Sequence, residues 1–289
     1  MTIPWKTLKN GFSMPVLGLG TWMLGGGEGR DCHDGGEAAE ASLRAGLESG
    51  YRHIDTAEMY AAGFTEKLVG RAIRGFRREE LFLTSKVWKT HLAYDAVLKA
   101  AEASLRRLET DYLDLYLIHQ VAPEMPLSDT IRALNRLIDD GLVKHIGVSN
   151  FAVARLKRAQ QLSSHPLVAN QVHYNLTVRE AEVSGLTDYC RQQDVMLIAW
   201  RPLQKGMLSG AAAPLLTELA ARYGKTPAQI ALNWLVRQPN VVTISTMRSR
   251  EHQQANLAAL GWSLEAGDEQ RLSREYPGQQ PVSDAVPLS

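Results

Sequence analysis

The sequence has 289 residues, 45% hydrophobic and 22% charged, a globular composition that excludes a disordered chain. Its 32 Lys and Arg against 31 Asp and Glu leave a formal charge of +1, so no global field recruits nucleic acid or an anionic membrane. The two cysteines, Cys32 and Cys190, make no disulfide framework or metal knuckle, and there is no run of about 18 apolar residues to span a bilayer.

Lys6 and Lys9 stand where a signal peptide would need its apolar stretch, so a soluble cytoplasmic protein is expected, a monomer or weak oligomer. Residues 5–16 read as a hairpin, because Asn10-Gly11 separates two half-apolar runs and both turn residues tolerate positive φ. Short apolar runs then alternate with longer amphipathic stretches. Strands are predicted at 16–19, 51–55, 81–86, 113–119, 145–149, 168–172, 195–200 and 241–245. Helices are predicted between or after them at 37–48, 66–74, 94–108, 129–140, 153–161, 183–193, 227–237 and 250–260. Residues 277–289 read as a polar, loosely ordered tail. Alternation at this length predicts an α/β fold, a (β/α)8 TIM barrel with an N-terminal β-hairpin, as a single domain over 1–289.

Polar residues close most of the predicted strands. Asp55, Lys86, His119 and Ser149 follow one another at intervals of 31, 33 and 30 positions, and one strand–helix–strand unit takes roughly 30 residues. A barrel would therefore bring these side chains together at its C-terminal rim, where barrel enzymes keep their chemistry. Asp55, Lys86 and His119 form with Tyr60 a group suited to proton donation. A phenol is a poor acid at neutral pH, an ammonium beside it stabilises the phenolate, and a carboxylate holds that ammonium charged. A histidine across the pocket can orient a carbonyl oxygen. The plainer reading is a structural Asp55–Lys86 ion pair with Tyr60 capping a loop; four such residues at barrel spacing favour the chemical one.

Several motifs resemble the aldo-keto reductases, in order from about residue 5 to 260. They are Leu17-Gly18-Leu19-Gly20-Thr21-Trp22, Ile54-Asp55-Thr56-Ala57-Glu58-Met59-Tyr60, Ser85-Lys86-Val87-Trp88 and Leu115-Tyr116-Leu117-Ile118-His119. Ile146-Gly147-Val148-Ser149-Asn150-Phe151 and Asn170-Gln171-Val172 extend the resemblance. It implies NAD(P)H-dependent carbonyl reduction, with Tyr60 as proton donor, Lys86 and Asp55 tuning it, and His119 orienting the carbonyl.

The phosphate-binding G-x-G-x-x-G pattern is absent, since Met23 stands at the third position after Gly18 and Gly20; Gly25-Gly26-Gly27-Glu28-Gly29 reads as a rim loop. The resemblance implies instead a cofactor laid across the strand ends. Thr21 falls among the matched cofactor positions, and Ser149, Asn150 and Gln171 match those that hold the carboxamide. Leu203, Lys205, Gly206 and Leu208 match the pyrophosphate-side loop, and Asn256 an adenine contact. Trp200 stands where a stacking tyrosine is common, and Arg201 where a serine is usual. Thr246 and His252 replace a lysine and an arginine that commonly read the 2′-phosphate, and Arg248 offers a replacement guanidinium. NADPH is thus the implied cofactor, with its preference weakened and NADH admitted.

Trp22 and Trp88 match aromatic pocket walls, a role that competes with ordinary rim packing, and Gln120 makes a third wall more polar. A short 120–127 insert and a short tail predict an open pocket for small aldehydes or dicarbonyls. Two alternatives compete. A Schiff-base role for Lys86 needs a depressed pKa, which Asp55 opposes. A cofactor-binding, redox-sensing subunit would retain the cofactor tightly with little turnover. His53 and Asp55 face one side of a strand and invite a metal reading with His119, but the other strand ends supply no further ligands.

Overall fold

The computed structural model of the chain describes every residue except 1, 32, 34, 123, 205–207 and 209–212. Eight parallel strands, β3 (Leu17–Gly20), β4 (His53–Asp55), β5 (Phe82–Val87), β6 (Leu113–Ile118), β7 (Val143–Ser149), β8 (Leu167–His173), β9 (Met196–Trp200) and β10 (Val241–Ser245), stand in sequence order around a closed barrel. β10 returns to β3 through Ile244 against Gly18. Every residue of β5, β6 and β8 is buried, as befits strands covered by helices on one face and by barrel core on the other. Gly18 is required inside the barrel: a Cβ there would lie 2.3 Å from His53 Nδ1.

The hairpin pairs β1 (Trp5–Thr7) with β2 (Ser13–Pro15) and lies across the N-terminal mouth. Phe12 meets Phe82 and His145 edge-on, and Lys6 Nζ donates to the carbonyls of Val236, Gln238 and Val241 at 2.6–2.8 Å. Gly11 takes φ 88, but within a loop from Leu8 to Phe12 and not as an isolated two-residue turn. Asn10 Oδ1 accepts the Phe12 N–H at 2.9 Å and so widens the turn.

The helices are α1 (Glu37–Glu48), α2 (Phe64–Ile73), α3 (Tyr94–Leu108), α4 (Leu127–Asp139), α5 (Val153–Leu162), α6 (Glu180–Val183), α7 (Leu186–Gln192), α8 (Ala213–Tyr223), α9 (Pro227–Arg237), α10 (Arg250–Leu257) and α11 (Ala266–Glu275). Among the described residues, none is long and apolar enough to cross a membrane. The stretch predicted as one helix over 183–193 divides at Gly185, which takes φ 75. α10 ends three residues earlier than predicted, and α8 and α11 form where no helix was predicted. The α9 boundary is set locally: Thr226 and Gln229 form a reciprocal capping box with Pro227 in the first turn.

The tail reading needs correction. Residues 277–289 are tied down: Glu180 accepts the N–H groups of Ser283 and Leu288 at 3.0 and 3.1 Å. The Ser289 N–H donates to the Asn150 carbonyl, and the Ala152 N–H to the Ser289 carbonyl. Polar composition predicted mobility, whereas here the polar groups are partners for backbone donors.

Candidate active site

Asp55 ends β4, Lys86 is the last but one residue of β5, His119 follows β6, Ser149 ends β7 and Gln171 lies in β8. All reach the C-terminal rim. Tyr60 stands on no strand; the turn after β4 aims it. Ala61 and Ala62 there take φ 48 and 53, and their N–H groups donate to the Gly27 and Glu28 carbonyls at 2.6 and 2.9 Å. The glycine run that reads as a rim loop thus braces the Tyr60 turn.

Lys86 Nζ is 2.5 Å from Asp55 Oδ1, 2.8 Å from the Thr56 carbonyl and 3.3 Å from Tyr60 Oη. Gln171 Nε2 donates to Asp55 Oδ2 at 2.7 Å. The rings of Tyr60 and His119 are 5.5 Å apart. Burial pulls the Lys86 pKa down, but Asp55 and the Tyr60 oxygen more than offset it and hold the pKa above the ordinary lysine range. Burial pushes the Asp55 carboxyl up, and Lys86 and Gln171 pull against that shift. The close contact and the satisfied second oxygen favour the ion pair. Burial also raises the Tyr60 phenol, with Lys86 only partly opposing it, so the net shift is opposite to the lowering expected from the ammonium. The phenol therefore keeps its proton at neutral pH. Burial, with help from Lys86, holds His119 well below the ordinary histidine range, so its imidazole is neutral.

Asp55, Tyr60, His119 and Gln171 line a cleft of about 400 Å³ shared by Gly20, Thr21, Ser149, Asn150, Trp200 and Leu203. The donor set suits a carboxamide. Gln171 spends its Nε2 on Asp55, leaving Oε1 as the acceptor end of its amide. Ser149 Oγ donates to the Gln171 carbonyl and accepts from Asn150 Nδ2. Trp200 also borders the cleft, with His173 stacked on it at 4.3 Å and 15°. A Cβ on Gly20 would lie 3.3 Å from the Ser245 backbone, so glycine keeps that side clear. His119 Nδ1 is buried without a hydrogen-bond partner. These residues fit a nicotinamide group.

The other expected cofactor residues are placed differently. Thr21 lines it, but its hydroxyl donates to the Asp55 carbonyl. Arg248 donates to the Met23 carbonyl at 3.1 Å, and Asn256 is buried with its amide on Met247 Sδ. Leu208 is exposed away from the cleft. Lys205 and Gly206 lie outside the described residues.

Trp22, Trp88 and Gln120 all line the cleft. Trp22 lies 4.9 Å from the Tyr60 ring, and Trp88 lies 5.0 Å from His119. Ala285 and Val286 of the tail also line the cleft. Sequence reasoning missed these two because a polar tail carries no periodicity to place them. His53 is buried with Nε2 3.1 Å from Thr84 Oγ1. Among the described residues, no group of three His, Cys, Asp or Glu side chains is arranged to hold a metal ion.

The aldo/keto reductase family profile matches residues 16–273. A glyoxal reductase of Bacillus subtilis (strain 168) is 41% identical over 239 residues, 82% of this chain and 80% of that protein. A thermostable aldo-keto reductase solved with the inhibitor epalrestat superposes with a TM-score of 0.91 at 43% identity, covering 94% of this chain and 99% of the other. An aldo/keto reductase from Klebsiella pneumoniae, solved with NADP and acetate, gives a TM-score of 0.84 at 34% identity over 99% of both chains. With the barrel, the buried Asp–Lys–Tyr chain and a profile spanning most of its length, the protein belongs to the aldo/keto reductase family.

Proposed function

We propose that this single-domain barrel reduces small aldehydes or dicarbonyls to alcohols with NADPH, and accepts NADH as well. The observation that carries this reading is the buried Asp55–Lys86–Tyr60 chain opening onto a cleft beside neutral His119. The glyoxal reductase and the NADP-bound relative support the substrate class and the cofactor. Bound NADPH supplies the hydride that the carbonyl carbon accepts.

Tyr60 Oη gives its proton to the carbonyl oxygen as negative charge develops there. Lys86, 3.3 Å away, stabilises the resulting phenolate, an electrostatic effect strengthened by the dry surroundings. Asp55 keeps Lys86 charged and aimed. His119, being neutral, offers an N–H to the substrate oxygen without competing for the Tyr60 proton. Ser149, Asn150 and Gln171 would hold the carboxamide, Trp200 would stack on the nicotinamide, and Arg248, which donates to the Met23 carbonyl, would supply the guanidinium for a 2′-phosphate. Trp22, Trp88 and Gln120 border the acceptor.

The test follows loss of dihydronicotinamide absorbance with NADPH and NADH in parallel, using methylglyoxal, an aromatic aldehyde and an aldose. Turnover that disappears in Tyr60→Phe while cofactor binding persists supports the reading. Wild-type-like activity in Tyr60→Phe removes the proton donor. Tight cofactor binding with no turnover of any acceptor points instead to sensing.

A further inference from the structure

His173 ends β8 and pairs with Trp200 at the end of β9. Its ring is buried and lies flat against the indole, 4.3 Å between centroids. Both imidazole nitrogens have polar neighbours. Asn175 Nδ2 lies 3.4 Å from Nε2, and the Asn175 amide is oriented by its Oδ1, which accepts two backbone N–H groups. Asn175 Nδ2 has only two hydrogens and nearer acceptors in the Arg201 carbonyl at 2.8 Å and Gln204 Oε1 at 3.2 Å, so the proton of the neutral ring sits on Nε2 and Nδ1 accepts. Ser283 Oγ, 2.8 Å away, donates its O–H to that Nδ1, because the oxygen already accepts two backbone N–H groups.

Ser283 in turn organises the tail at the cleft. Its Oγ accepts the N–H groups of Ala285 and Val286 at 3.2 and 3.1 Å, and both residues line the cleft. On the other side of the stack, Trp200 Nε1 donates to Asn150 Oδ1 at 3.3 Å. One imidazole therefore touches two walls of the cleft: by its face the indole, by its Nδ1 the 283–286 segment. A phenyl ring could keep the first contact and lose the second, so the two are separable.

We propose that His173 is a positioning residue that sets the Trp200 platform for the nicotinamide and, independently, the Ala285–Val286 wall for the acceptor. The proposal rests on the reading that NADPH binds with its nicotinamide against Trp200. It makes the 283–286 segment a substrate wall whose position is set from β8, from beneath the cofactor site.

The experiment compares His173→Ala, His173→Phe and Ser283→Ala by three readouts. These are the NADPH dissociation constant from a binding titration, the methylglyoxal KM, and amide hydrogen exchange of residues 285 and 286 in the cofactor-free protein. His173→Ala should raise the dissociation constant by about three- to ten-fold, the range of one lost aromatic pair. It should also raise the acceptor KM and speed exchange at 285 and 286. His173→Phe should bring the dissociation constant back within about two-fold of wild type while KM and exchange stay raised. Ser283→Ala should raise KM and exchange alone.

The proposal is overturned if His173→Ala leaves NADPH affinity unchanged. It is overturned equally if His173→Phe, folded by circular dichroism, restores exchange protection together with affinity. Should His173→Ala fail to fold, His173→Leu, which also removes the aromatic face, supplies the NADPH readout, while the Phe and Ser283 variants test the link to the tail. A wild-type protein that neither binds NADPH nor turns over defeats the functional reading and this proposal together. Normal wild-type behaviour with unresponsive variants defeats the proposal alone.

Discussion

Gln171 Nε2 donates to Asp55 Oδ2 at 2.7 Å, joining residues 116 positions apart through the barrel interior. Both side chains are buried, so the carboxylate in the ion pair with Lys86 depends on this amide for its second oxygen. Gln171 therefore has two faces, one toward the Asp55–Lys86 pair and one toward the cleft.

Replacing it isosterically tests the inner face. In Gln171→Glu the new carboxyl can donate to Asp55 only while protonated, and once ionised it places a second charge against the first. Its folded pKa is then raised above the unfolded value of about 4.3, so the stability it confers is present at low pH and lost as pH rises. Gln171→Glu should unfold close to wild type at pH 4 and fall behind it by about 2 kcal/mol or more at pH 8. Urea midpoints at the two pH values measure this, and a pH-independent difference would remove the assigned contact.

Buried histidines should make the fold acid-sensitive. Burial lowers His173 to about 4, and burial with the Lys86 charge lowers His53 to about 3. The folded pKa values are depressed, so these sites cost nothing above the unfolded value of about 6.5. Below it the unfolded chain binds protons that the folded one refuses. Each histidine then removes about 1.4 kcal/mol of stability per pH unit, down to about pH 4 for His173 and about pH 3 for His53. His173→Phe should flatten the fall between pH 6 and 4, read as the wild-type minus variant unfolding free energy. Parallel curves would contradict the assignment.

Glu58 should control acceptor binding through Trp88. Its Oε1 accepts the Trp88 N–H at 2.5 Å and lies 3.0 Å from His91 Nδ1, pinning the loop after β5 to the turn that carries Tyr60. Glu58→Ala is expected to raise the acceptor KM about ten-fold, as for a lost hydrogen bond to a charged group. NADPH affinity should not change. Glu58→Gln keeps an acceptor oxygen and should stay within about three-fold of wild type. Equal KM values for wild type and Glu58→Ala would show that the loop is held by other contacts.

Ala62 is exposed yet left-handed at φ 53. That conformation costs a non-glycine residue about 1–2 kcal/mol, against roughly 0.5–1 kcal/mol for the greater freedom of glycine in the unfolded chain. Ala62→Gly should therefore stabilise the protein by about 0.5 kcal/mol. A urea midpoint that rises at constant slope supports this; a lower midpoint means the turn is not strained.

The sequence by itself determined the repeating frame and the chemical types on it. Apolar runs separated by amphipathic stretches specify strand and helix through their different periods, a local property. Strand-terminal spacings of 31, 33 and 30 residues therefore marked Asp55, Lys86, His119 and Ser149 as neighbours before any contact was known. Motif order carried the family.

Tertiary structure alone decided what those side chains do to one another. Whether Tyr60 is raised or lowered depends on how far burial outweighs a lysine 3.3 Å away, a balance absent from a list of residue types. That Gln171 faces Asp55, that His173 lies on Trp200, and that Ser283 holds Ala285 and Val286 at the cleft all depend on long-range packing. The tail in particular has no period or turn signal of its own. Its order comes from Glu180 and His173, more than 100 residues earlier in the chain.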